Sequence, residues 1–530
     1  MNRQSPSIFN DIVGPIMVGP SSSHTCAPSR IGYLCQQLIS GKLVHATVEF
    51  AREGAYTNMY KGQRSDMGYV NGLMGNRPED PKLRDAFKLA KEANLPIEFI
   101  ISDFVPTVPN LSRVTVYSNA NEKVEIYTDS TGGGTVKLLK IDGFDVEIVG
   151  DCYELIVRMD GDEAAGQAVL SQITAMFADN EGMSVSHKDG KCLLNFKQRV
   201  DYTAEQLDAV SQFDGVTDVK VMKPILAVAS NRNAKLPFHS AAEMLAKATA
   251  ENKTLWELGV EYECARSGWP EQEVLDYMKH VVETMEHSST EALKGDIDMQ
   301  GIIEPTAGKI ESYVKSDPKA LDMGVMNTAV PWAMATMEYS SAMGVVLCAP
   351  TGGSAGVFPG SVLGTATALG LSMEEKVRMM FVTSIVGIVM SKDCNYSAEL
   401  YGCQVEPGAA SAMAAAALVY HMGGTPKQSA AAASTALGNI LGTICDPVAG
   451  LVQVPCIARN ALSAANAVVC ANLAMGGYDP LIPLDEAAET LFRVGKQLPS
   501  ELRCTCNGGL CTTPCGQRLA REQEARDNAR

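Results

Sequence analysis

From about residue 225 onward, small residues come in runs too long and too regular to be loops. ATALGLS, SAMAAAALVYHMGG, SAAAASTALGNILG and NALSAANAVVCANLAMGG follow one another between residues 366 and 477. Alanine has the highest helix propensity, and small side chains let neighbouring helix axes approach closely. The Gly-Gly pairs at 423–424 and 476–477 read as C-terminal stops. A closely packed, mostly α-helical unit over 225–530 follows, with polar loops such as APTGGSAG between its helices.

The preceding residues have a different period. Residues 1–148 alternate helical and strand patterns, which reads as an α+β unit. CAPSRIGYLCQQLIS and KLRDAFKLAKEA are amphipathic, HATVEFA reads as a strand, and RVTVYS and KVEIYTD read as a hairpin across a polar turn. Gly132–Gly134 read as a flexible connection closing that unit. Residues 151–224 then run strand, helix, strand, strand, helix, strand, the split ferredoxin-like βαββαβ order. This length and layout resemble an ACT module, which implies amino-acid sensing and a multidomain chain with allosteric control.

Charge excludes some functions. The formal net charge is −17, with no basic stripe to displace phosphate counterions, so no nucleic-acid partner is expected. No anionic membrane surface is expected either. The N-terminus lacks the charged-then-apolar layout of a secretory signal, and no charge-free apolar run is long enough to span a bilayer. A cytoplasmic protein is expected. Arg518–Arg530 read as a frayed, solvated tail.

Fifteen cysteines in a reducing compartment serve as metal ligands, nucleophiles or core filler. Cys445 and Cys456 bracket CDPVAGLVQVPC, and Cys456 opens an Ala-rich segment; Cys403, in YGCQVEPGAASAM, precedes another. A thiolate at a helix start faces unpaired N–H groups, which lowers its pKa. Three such soft ligands suit an iron–sulfur cluster or zinc, although buried cysteine in an apolar helix is more often inert filler. Cys504, Cys506, Cys511 and Cys515 crowd the last thirty residues, a density core filling does not explain.

Two loops concentrate hydroxyls. Ser21, Ser22, Ser23 and Thr25 surround His24 just before a helix, an arrangement suited to holding a carboxylate or phosphate. His24 is that loop's one side chain titrating near neutrality, hence a candidate base. Helix capping explains one such hydroxyl, not four. Thr351, Gly352, Gly353 and Ser354 form a second loop; it lacks the Gly-Lys-Ser/Thr ending of a nucleotide phosphate loop and reads equally as a helix connection or an anion cradle.

GPSSSHT, CAPTGGSAGVFPG, GCQVEPGAASAMAAAAL and CDPVAGLVQVPCIARNA, in that order, resemble the iron–sulfur-dependent L-serine dehydratases (L-serine ammonia-lyases) over nearly the whole chain. The resemblance implies a β part at 1–148, an α part from 225, and a lyase in amino-acid catabolism that converts L-serine to pyruvate and ammonia. It implies a [4Fe–4S] cluster on Cys403, Cys445 and Cys456 with one iron left for substrate, and carboxylate and amine contacts from the two hydroxyl loops. No pyridoxal phosphate is expected. The family's Lys-Gly-His-Gly-Thr-Asp stretch is here Lys61-Gly62-Gln63-Arg64-Ser65-Asp66. Glutamine takes no proton at neutral pH, so the base is His24, Lys61 or a residue outside these motifs. Some members cap the fourth iron with a cysteine near the C-terminus; Cys504 is the preferred counterpart here, with Cys506 next. The changed stretch also keeps open L-threonine, L-cysteine or another β-substituted amino acid as substrate, and a non-catalytic amino-acid sensor. A homo-oligomer, a dimer, is expected.

Overall fold

The computed structural model describes residues 5–391 and 395–528. Six strands form the N-terminal sheet, in the order 97–102, 43–51, 111–118, 123–132, 135–141 and 144–148. Only the 43–51/97–102 pair is parallel. In the expected hairpin, Val114 pairs with Ile126 and Val116 with Val124, so one face is apolar and buried. The Ala27–Cys35 and Ser65–Leu73 helices cover that face through Ile31, Leu34 and Tyr69. They pack backbone to backbone: a Cβ on Gly72 would lie 1.9 Å from Ser29 O. KLRDAFKLAKEA splits into a 3-10 turn over Pro81–Asp85 and a helix over Ala86–Glu92.

Gly132–Gly134 do not close this unit. All three have positive φ and form the turn between Lys123–Gly132 and Thr135–Ile141, and the sheet continues to Ile148. Alternation in TVKLLKI continues past the glycines, and the turn requires the left-handed conformations that glycine adopts freely.

The next sheet has four antiparallel strands in the order 216–222, 153–160, 191–198, 182–188. Helices Glu163–Met176 and Ala204–Ser211 complete the βαββαβ order. Asp162 caps the first by accepting from Ala165 N, and Thr203 with Gln206 forms a capping box on the second.

The rest is mostly helical. Pro407–His421 is buried from Pro407 to Val419 and packs against Met373–Met390, Pro426–Gly438 and Cys456–Met475. Its alanines set the spacing; adding side-chain volume there would cost on the order of 1–3 kcal/mol.

Two terminal segments cross the expected layout and build the site. Near the N-terminus, Ser7 Oγ and Ile8 N donate to the Glu263 carboxyl, both at 2.7 Å. Phe9 and Ile12 join the helical core, and Ile16–Val18 pairs with Val345–Leu347. This delivers Ser21–Thr25 to the face of the helical unit. At the other end, 518–528 is not a frayed tail: Pro514–Asn528 is helical, Gln523 is buried, and Arg64 Nη1 lies 3.4 Å from Asp527 Oδ1. Ala529 and Arg530 lie outside the described residues. Among the described residues, no helix is long and apolar enough to cross a membrane.

Candidate metal centre and active site

Three loops and two helix starts bring the thiols together. Cys403 opens a 3-10 turn before Pro407–His421, and Cys456 is the first residue of its helix. Cys445 sits between helices and is located by main-chain pairing. Its N–H donates to Leu502 O (2.8 Å), and Cys504 N–H donates back to Cys445 O (2.9 Å). Cys403, Cys445 and Cys504 are buried in one contact cluster with Met59 and Ala398.

The ligand atoms of Cys403, Cys445 and Glu406 lie within 4.8 Å of one another. Cys456 is outside that tight group but within electrostatic reach of Cys403, Glu406, Arg459 and Cys504. Cys456 packs in a neighbouring cluster with Met17 and Val452, and the grouped thiols of Cys403 and Cys445 are a possible metal site whose soft donors suit an iron–sulfur centre.

The charges are arranged to match. The Cys445 thiol holds the Cys403 thiol below its ordinary pKa, and Arg459 helps. Arg459 Nη1 is 3.8 Å from Cys403 Sγ, donates to Ile444 O (2.8 Å), and pairs with Asp446 (2.9 Å). The Cys445 thiol moves up, because the bonds to Cys403 and Cys504 favour its protonated form. Burial and the neighbouring Cys403 push Glu406 well above the carboxylate range. Cys506 and Cys511 both donate to Pro447 O (3.5 and 3.2 Å), Cys506 also packs against the Cys403–Cys445–Cys504 cluster, and Cys515 is exposed.

The two hydroxyl loops meet above the thiols. Gly352 N–H donates to Ser22 Oγ (3.1 Å), and a Cβ on Gly352 would lie 2.7 Å from Ser22 N. Thr351 Oγ1 donates to Glu406 Oε1 (2.7 Å) and contacts Ser354 Oγ (3.0 Å). A Cβ on Gly353 would meet the Glu406 carboxyl at 2.8 Å. Asn460, one turn beyond Cys456, accepts from Gly356 N (3.1 Å) and donates to Gly353 O (2.8 Å). Ser21 Oγ accepts from His24 N (3.1 Å), and Thr25 Oγ1 donates to Gln63 O (2.7 Å). Much of the hydroxyl content thus fixes the loops to each other.

His24 is fully buried, and its Nε2 has no hydrogen-bond partner among the described residues. Its ring stands edge-on to Tyr56. Burial lowers its pKa, while Glu399, 3.7 Å away, acts in the opposite direction. Gln63, where the family stretch has histidine, is buried, with Nε2 3.3 Å from Met59 Sδ. Lys61 is only half-buried, on a turn that abuts Ala449–Leu451 through Gly62.

A family model described as the serine dehydratase alpha chain matches residues 219–511. The L-serine dehydratase of Streptomyces coelicolor is 32% identical over 506 residues, 93% of this chain and 96% of that protein. The chain belongs to the L-serine dehydratase family. The probable L-serine dehydratase alpha chain of Bacillus subtilis is 39% identical over 251 residues, 47% of this chain and 83% of that protein. The probable beta chain of the same organism is 31% identical over 216 residues, 40% of this chain and 96% of that protein. This L-serine dehydratase family member therefore carries both parts in one chain.

Sequence reasoning missed Glu399, Glu406, Arg459 and Asn460 as site residues. Glu406 had a signal, a lone acid at the mouth of an apolar alanine helix. Glu399 had none, since only the fold brings it to His24.

Proposed function

We propose that this chain is an L-serine ammonia-lyase, which dehydrates L-serine to pyruvate and ammonia at a [4Fe–4S] centre held by Cys403, Cys445 and Cys456, with Cys504 alongside. The observation carrying the reading is the grouping of buried Cys403, Cys445 and Cys504, with Glu406 tying Cys403 to the joined hydroxyl loops, in a chain of this family. Such a cluster with a vacant coordination position supplies a Lewis acid for the departing hydroxyl.

The chain's own residues do the rest. Backbone and hydroxyl groups of Ser21, Ser22 and Thr25 and the backbone of Ser23, with Thr351, Gly352, Gly353 and Ser354, hold the substrate carboxylate and amine, an orienting role. His24 Nε2 takes the α-proton: it is buried, without a partner among the described residues, and set in the first of the two loops. Lys61, half-buried on the turn that abuts Ala449–Leu451, is the alternative base. Elimination gives aminoacrylate, which tautomerises to the imine and is hydrolysed. Met59 and Ala55, from the N-terminal unit, close over the thiols and limit water there.

Gln63 favours a second reading, in which the same chemistry acts on L-threonine or L-cysteine. An anaerobic panel of amino acids, assayed for keto acid, ammonia and sulfide, tests both: highest kcat/KM on L-serine supports the first, and sulfide from L-cysteine as the dominant product supports the second. Residues 1–148, 151–224 and 225–530 are assigned as β part, ACT-like module and α part. Serine saturation curves unchanged by removal of 151–224 would contradict a regulatory role for the module. The homodimer proposal is tested by mass in solution.

A further inference from the structure

The surroundings of His24 specify which ring nitrogen carries its proton. Ser23 Oγ lies 2.8 Å from His24 Nδ1 and donates to Glu399 Oε1 at 2.7 Å. A serine hydroxyl has one proton to give. With that proton committed to Glu399, the contact to His24 requires Nδ1–H as donor and Ser23 Oγ as acceptor. Glu399 is itself held, since its Oε2 accepts from Ser397 Oγ at 2.7 Å. The other ring nitrogen, Nε2, is then a bare lone pair in a fully buried ring with no partner among the described residues.

We propose that Ser23 and Glu399 form a hydrogen-bonded relay that fixes His24 as its Nδ1–H tautomer and so presents Nε2 as a ready proton acceptor. Both are positioning residues, and the inference rests on His24 being the base. A carboxyl acting through an imidazole in this way orients the ring and stabilises the imidazolium formed when Nε2 takes a proton. The relay accounts for a Glu399 side chain only 6% exposed, placed where no thiol contact requires it.

Glu399 and Tyr56 face the ring. Asp129 on the N-terminal sheet acts on Glu399 from one side, and Glu406 and Cys504 act from the helical side. Burial dominates in lowering the His24 pKa and the Glu399 charge opposes it, so neutralising Glu399 moves the acid limb of kcat to lower pH.

The test joins NMR to kinetics. Protein labelled with 15N-histidine, with His24 assigned by the signals that vanish in His24→Asn, is expected to show a protonated Nδ1 and a bare Nε2 without any assay of turnover. Glu399→Gln keeps an acceptor oxygen and lacks the charge. It is expected to lower kcat about tenfold or more at nearly constant KM, and to shift the acid limb down. Ser23→Ala is expected to lose the single tautomer. A protonated Nε2 in the wild-type protein overturns the proposal. So does an unchanged kcat and pH profile in Glu399→Gln when His24→Asn is inactive, which spares the base assignment. Full turnover in His24→Asn overturns the base assignment and the relay's purpose together.

Discussion

Cys504 and Cys445 are joined through their main chains: Cys504 N donates to Cys445 O at 2.9 Å, and Cys445 N donates to Leu502 O at 2.8 Å. Two N–H···O bonds in the parallel direction set the two thiols side by side, so the tail is built into the centre. Asp446, next in sequence, accepts from Leu510 N at 2.8 Å and pins the following turn. The first prediction follows. Cys504→Ser should keep the main-chain pairing and most of the bound iron, whereas Cys403→Ser should lose most of it. Iron analysis of both variants after anaerobic purification checks this; equal loss would place Cys504 among the indispensable ligands.

The contact between the hydroxyl loops leaves no room for a methyl group. A Cβ on Gly352 would stand 2.7 Å from Ser22 N, a backbone atom that cannot move away alone. Gly352→Ala should therefore lower kcat/KM by about tenfold or more, since misplacement by a fraction of an ångström is costly in an orienting site. Gly438→Ala is the control. It is at the end of the Pro426–Gly438 helix with nothing within 4 Å of the added carbon, and it should be neutral or stabilising by about 0.4–1 kcal/mol.

Asn460 ties the second loop to the Cys456 helix by two bonds, to Gly353 O and from Gly356 N. Asn460→Ala leaves both loop groups buried and unpaired. A stability loss of about 1–3 kcal/mol and a raised KM are expected from denaturant unfolding and steady-state kinetics. A variant with wild-type values would remove Asn460 from the positioning network.

Asp129 gives stability a pH dependence. Burial first, and then the neighbouring Glu399, raise its pKa to about 6. A carboxyl raised in the folded state holds its proton where the unfolded chain has released it. Its contribution therefore falls as pH rises from about 4 through about 6. Asp129→Asn should match the wild type near pH 4 and be more stable above pH 7, by up to about 2–3 kcal/mol. Melting curves across that range check the sign; a difference that is constant with pH would contradict it.

The sequence carried the middle unit well, because alternation in YELIVRMD and KCLLNFKQ and the caps at Asp162 and Thr203 are local signals. It carried the alanine helices for the same reason. It did not carry the three-residue pairing of Ile16–Val18 with Val345–Leu347, which is too short to show a period yet brings the Ser21–Thr25 loop against the Thr351–Ser354 loop. The tail helix was misread from its charge, since little beyond Gln523 marks its buried side. Motif order pointed to Cys403, Cys445 and Cys456, but the partnership of Glu399 with His24 exists only once the N-terminal loop is laid against the Ala398–Tyr401 turn.

The central claim is that buried thiols from separate loops hold an iron–sulfur centre on which serine dehydration depends. The most direct measurement is an iron and acid-labile sulfide count on protein purified without oxygen, paired with pyruvate release from L-serine, for the wild type and Cys445→Ala. The account predicts a near-stoichiometric cluster and turnover in the first and loss of both in the second. Full turnover in Cys445→Ala, or turnover by wild-type protein free of iron, would contradict it.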